Sequence, residues 1–63
     1  MKTGMDLKVA RVRARVKQKD IAARIGRSVN MVVRYESQAE PDQQIAAAYL
    51  AAVAELATER TTA

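Results

Sequence analysis

The chain has 63 residues, a net charge of +4 and an apolar fraction of 49%, and it contains neither Cys nor His. The length allows one small domain. The composition excludes disulfides, thiolate or imidazole metal sites and the usual neutral-pH general base. We therefore expect a binding protein rather than an enzyme, with no metal or other cofactor. So small a domain buries little surface, and this favours self-association.

Charge is distributed unevenly along the chain. The segment from Lys8 to Arg34 carries +8, with Asp20 as its one acid, while the rest carries −4. A polyanion is the partner that such a segment favours, although a solvated basic surface without a partner has the same composition. The longest apolar run, residues 45–54, is too short to span a bilayer, and no apolar segment typical of a leader follows Lys2. We expect a cytoplasmic, nucleoid-associated protein that does not bind membranes.

The first predicted helix covers residues 5–15. Leu7, Ala10 and Ala14 recur at helical spacing, and either Thr3 or Asp6 can cap the N-terminus. Valines that alternate with arginines give a weak strand pattern, but no turn residues flank it. Helix is the favoured interpretation.

Two short helices are predicted next, over residues 18–25 and 29–37. Gly26 ends the first because it can adopt positive φ, and Ser28 can cap the second. Val32 and Tyr35 are expected to face the core.

Pro41 marks a connector, Asp42 can cap the next helix, and the fourth helix is predicted over residues 43–57. This helix is apolar on most sides, which suggests two packing partners: its own domain and a second copy of the chain. The expected dimer interface consists of Ile45, Tyr49, Val53 and Leu56. Burial of Tyr49 under the first helix is an equal alternative. Residues 58–63 are expected to form a frayed tail.

Residues 18–36 resemble the helix-turn-helix of the Cro/cI-type (XRE-like) regulators of phages, plasmids and other mobile elements. Ala22 stands where that family has a small residue between the helices, Gly26 makes the turn, and Ile21, Ile25 and Val32 are the branched core residues. The resemblance covers about residues 7–50. It implies an all-α, lambda-repressor-like bundle of four to five helices. The chain departs from the pattern at Arg15, usually Gly, and at Lys17, usually Ser or Thr.

The resemblance also implies roles for individual residues. It places Ser28, Val29, Asn30 and Arg34 toward the major groove, where side chains of these types can bond guanine or adenine or meet a thymine methyl. Phosphate contacts are expected from a polar and basic set around the second helix: Arg15, Lys17, Gln18, Lys19 and Arg27. Arg11 and Glu36 match a buried ion pair that links the first and third helices in some members.

These features predict a dimeric repressor that binds a palindromic double-stranded operator and needs no small-molecule effector. A second hypothesis is an antitoxin or antiactivator that binds another protein through the fourth helix. A weaker one is non-specific binding to RNA or membranes by the basic first helix.

Overall fold

A computed structural model describes residues 1–61, and the side chains of residues 1–59. It contains four α-helices: Gly4–Arg13 (α1), Gln18–Ile25 (α2), Val29–Ser37 (α3) and Gln43–Thr61 (α4). Residues 1–61 include no strand. The prediction of a small all-helical bundle is confirmed, and the bounds of α2 and α3 match the predicted ones.

A single core holds the helices together, because α1 and α2 each pack against both α3 and α4. Its centre is formed by Tyr49, Leu7, Ile21 and Val32, the largest fully buried side chains. Tyr35 is also buried, as the sequence predicted. Every helix therefore contributes at least one large side chain, and α3 is held from two sides.

The start of α1 is fixed by a capping box. The Thr3 hydroxyl accepts a hydrogen bond from the Asp6 amide, and the Asp6 carboxylate accepts one from the Thr3 amide. Both predicted capping residues therefore take part. The helix ends at Arg13 rather than at residue 15, because Arg15 has a φ of 58° and lies in the left-handed region.

The connection between α2 and α3 uses the predicted residues. Gly26 adopts a φ of 72° at the C-terminus of α2. Ser28 begins α3, where its hydroxyl accepts a hydrogen bond from the Met31 amide at 3.2 Å. By contrast, Lys17 provides no side-chain cap for α2.

The start of α4 is held at two points. The Asp42 carboxylate caps it by accepting from the amides of Gln44 and Ile45. The Gln43 side chain bonds the backbone of Lys2 twice, accepting from its N–H and donating to its carbonyl, each at 3.1 Å. This contact joins the N-terminus of the chain to the start of α4.

The end of α4 lies beyond the predicted one. The helix continues to Thr61 instead of ending at residue 57, so residues 58–61 are helical rather than frayed, and residues 62–63 lie outside the described part. This end of the helix contacts α2: Arg24 binds Glu55 at 2.9 Å and Glu59 at 2.6 Å, one turn apart. None of the described helices is both long and apolar enough to cross a bilayer.

Candidate nucleic-acid interface

The outward side of α3 is a small exposed surface of mixed chemistry. Val29, Asn30, Val33 and Arg34 recur at helical spacing and are exposed, while Val32, Tyr35 and Glu36 on the opposite side are buried. The four residues predicted to meet bases, Ser28, Val29, Asn30 and Arg34, are thus all exposed at the start and on the outer side of one helix. An amide, a guanidinium, a hydroxyl and apolar methyl groups are available there.

Val33 belongs to this surface and was not among the predicted site residues. Its side chain is 45% exposed and lies one turn after Val29 and one turn before Ser37 on the same face. The helical period alone places it there, so the sequence contained the signal. Val33 also borders a shallow depression with Met5 and Lys8 of α1 and Ser37 of α3.

A buried carboxylate in the last turn of α3 links this helix to the other three. Glu36 accepts hydrogen bonds from Arg11 Nε at 2.7 Å, from Gln18 Nε2 at 3.0 Å and from the Tyr49 hydroxyl. The expected pair of Arg11 and Glu36 is therefore present, with two further partners that the sequence did not reveal. All four helices contribute one side chain to this cluster, which we call the Glu36 cluster.

Arg11 also holds the corner between α1 and α2. Its Nη1 donates to the carbonyl of Val16 at 3.0 Å, and its own carbonyl accepts from the Val16 amide at 3.1 Å. The Glu36 cluster therefore fixes the end of α3 against the residues that precede α2.

Burial and hydrogen bonding oppose each other in the Glu36 cluster. Burial would raise the pKa of Glu36, but donation from Arg11, Tyr49 and Gln18 outweighs it and holds this pKa below its ordinary value. Burial raises the pKa of Tyr49, and the hydrogen bond to Glu36 raises it further. Across neutral pH the cluster therefore contains a carboxylate, a guanidinium and a neutral phenol.

The residues predicted to contact phosphates do not form one group. Arg15, Lys17 and Lys19 line a depression of about 590 Å³ together with Leu56 and Glu59, and no residue of α3 lines it. The amide nitrogen of Gln18 bonds Glu36 instead, on the side of α2 that faces α3.

Arg27 is exposed in the short connection between α2 and α3. It lies next to the N-terminus of α3, directly before Ser28. Of the predicted phosphate contacts, Arg27 therefore lies just before α3, and Gln18 bonds a residue of its last turn.

The predicted interface residues of α4 lie mostly inside the chain. Tyr49 has no exposed surface and Val53 is buried, whereas Ile45 and Leu56 are half-buried. Tyr49 is thus packed within its own domain, which was the alternative to an interface role that the sequence left open. Its hydroxyl donates a hydrogen bond to Glu36 there. The exposed residues of α4 include the small side chains Ala47, Ala48, Ala51 and Ala54.

Comparison with known proteins adds no family: no family model, curated protein or solved structure matches the chain. Among the described side chains, no three carboxylates are grouped so that they could hold a metal ion.

Proposed function

We propose that this protein is a sequence-specific double-stranded DNA-binding regulator in which α2 and α3 act as a helix-turn-helix of the Cro/cI type. The observation that carries the proposal is the outward side of α3. Val29, Asn30, Val33 and Arg34 are exposed on a helix whose other side is fixed by the core and by Glu36. A rigid helix with an amide and a guanidinium side by side is suited to reading base edges in a major groove.

Charge supports a nucleic-acid partner. The segment from Lys8 to Arg34 carries +8 and contains the whole of α2 and most of α3. Two of its arginines are committed to ion pairs, Arg11 with Glu36 and Arg24 with Glu55 and Glu59. The remaining cations include Arg34 on the outward side of α3 and Arg27 just before the helix, where they would approach guanine or phosphates.

We further propose that two copies bind an inverted repeat and repress transcription by occupancy. Each copy would place α3 in a major groove, with half-site centres about 34 Å apart. Ile45 and Leu56 are the predicted interface residues that retain exposed surface for contact between the copies.

Selection from a random duplex pool at near-physiological salt tests the proposal, because salt suppresses non-specific binding. The wild-type protein is compared with Arg34→Ala on the outward side of α3 and with Arg13→Ala, a matched arginine at the end of α1. We expect a two-fold symmetric motif from wild type and Arg13→Ala. Arg34→Ala should lose preference at particular positions, by about 1–3 kcal/mol each. A folded wild-type protein that selects no motif would refute sequence-specific binding.

A further inference from the structure

The outer side of α1 is apolar, although it faces away from the core. Met5, Val9 and Val12 are spaced by four and three residues and are 61%, 39% and 55% exposed. Leu7, on the inner side of the same helix, has no exposed surface. At this spacing the three side chains form one continuous stripe along the helix, which we call the α1 stripe.

Cations border the α1 stripe on both sides. At 100° per residue, Lys8 lies on one side of it and Arg13 on the other, and both are exposed. Asp6 is the one acid of α1, and its carboxylate accepts the hydrogen bond from the Thr3 amide in the capping box. The surface is therefore an apolar ridge between basic edges.

A second copy of the chain is a poor occupant for this surface. Pairing two α1 helices would bring their basic edges together, which opposes association. Three partly exposed side chains also offer much less area than the roughly 800 Å² per partner of a standard stable interface. A single helix from another protein needs only a few apolar anchors.

We propose that the α1 stripe docks an acidic amphipathic helix of a partner protein. The apolar side of that helix would cover Met5, Val9 and Val12, and carboxylates along its edges would meet Lys8 and Arg13. The argument does not depend on the proposed binding of DNA, because it rests on exposure and charge along α1 alone.

A binding assay with a defined probe tests this proposal. The probe is a fluorescent synthetic helix with Leu at positions i, i+3, i+4 and i+7 and Glu on the flanking positions, and the control is a peptide of the same composition in scrambled order. We expect the full chain to bind the amphipathic peptide and not the scrambled one, as measured by fluorescence anisotropy. Equal binding of both peptides would show attraction by charge alone and overturn the proposal, as would no binding.

Matched variants locate the contact. Val9→Thr with Val12→Thr keeps side-chain shape and removes apolar surface from the stripe, while Val29→Thr does the same on α3, away from the depression that Val33 shares with Met5. The first variant should weaken peptide binding about tenfold and the second should leave it unchanged, with circular dichroism showing that both variants fold. Equal losses from both variants would overturn the proposal.

Two further measurements separate the competing occupants. Sedimentation measures whether the protein alone self-associates. Any self-association should be the same in the wild type and in the variant with Val9→Thr and Val12→Thr. Self-association that this variant loses would assign the stripe to a second copy and overturn the proposal. Vesicles of phosphatidylglycerol should not bind through the stripe. If the wild-type protein binds the vesicles, the two substitutions abolish that binding and the amphipathic peptide does not bind, the stripe is a lipid-binding surface and the proposal is refuted.

Discussion

The hydroxyl of Tyr49 donates a hydrogen bond to Glu36, so the middle of α4 is tied to the last turn of α3. Glu36 is buried and Tyr49 has no exposed surface. The contact joins the helix proposed to read DNA to the longest helix of the bundle. Its removal should therefore affect the stability of the fold.

Tyr49→Phe should lower the free energy of unfolding by about 2 kcal/mol, because it removes a buried hydrogen bond to a charged group and keeps the ring. For a domain of this size the melting temperature should fall by about 10 °C. Tyr35→Phe is the matched control, since its hydroxyl lies outside the Glu36 cluster. Thermal unfolding followed by circular dichroism measures both. Equal small losses in the two variants would contradict a special role for the Tyr49 hydroxyl.

Stability should decline at both ends of the pH range. The pKa of Glu36 is lowered in the folded state, so its contribution is present above the ordinary value of 4.5 and is lost as the pH falls through the folded value. The pKa of Tyr49 is raised, so the unfolded state releases the proton first and stability falls as the pH rises above about 10.

Urea unfolding across this pH range measures both limbs. Glu36→Gln should flatten the acid limb, because the variant has no carboxyl to titrate at this position. Asp6→Asn, at the exposed cap of α1, is the comparison, since the pKa of Asp6 is also lowered, chiefly by the hydrogen bond from the Thr3 backbone. An acid limb that is unchanged in Glu36→Gln would contradict the assignment.

Arg15→Gly should stabilise the protein by about 1 kcal/mol. Arg15 has a φ of 58°, a conformation that costs an L-residue with a side chain roughly this much and costs glycine nothing comparable. Arg15→Asn is the control, because asparagine tolerates this region better than most residues and should give a smaller gain. Denaturant unfolding gives the three free energies. A loss of stability in Arg15→Gly would show that contacts of the arginine side chain outweigh the strain.

Local signals predicted much of this molecule. Gly26 predicted the C-terminus of α2 and Ser28 the N-terminus of α3. The resemblance to Cro/cI-type regulators placed Arg11 beside Glu36. The position of Tyr49 could not be derived from its helix, because α4 is apolar on most sides and more than one of them could face the core. The Tyr49 hydroxyl donates a hydrogen bond to Glu36 of α3. This is a tertiary contact, and the spacing of apolar residues within α4 does not predict it.

The extent of α4 was missed for a similar reason. Arg24 lies more than thirty residues before Glu55 and Glu59, so the ion pairs that hold the last turns are invisible to any local window. The sequence placed Leu7, Ala10 and Ala14 at helical spacing, and the structure turns this side of α1 toward the core. The α1 stripe was missed because its valines were considered only as part of a weak strand pattern with the arginines.

Gly4→Ala should destabilise the protein by about 2–3 kcal/mol through a collision of backbone with side chain. Gly4 is buried against the end of α3, where its amide donates to the carbonyl of Gln38 at 2.8 Å. An added Cβ would lie within 2.6 Å of the carbonyl oxygens of Tyr35, Glu36 and Gln38. These are backbone atoms, so α1 must move away from α3 to make room.

Gly26→Ala is the informative comparison for this variant. An added Cβ at Gly26 meets no atom within 4 Å, but φ is +72°, so the cost there is conformational strain of about 1 kcal/mol. Thermal and urea unfolding should therefore rank Gly4→Ala below Gly26→Ala in stability, even though alanine favours helix at residue 4. The reverse order would mean that α1 does not contact the end of α3 as closely as the hydrogen bond from Gly4 to Gln38 requires. The Glu36 cluster would then be the main link between these two helices.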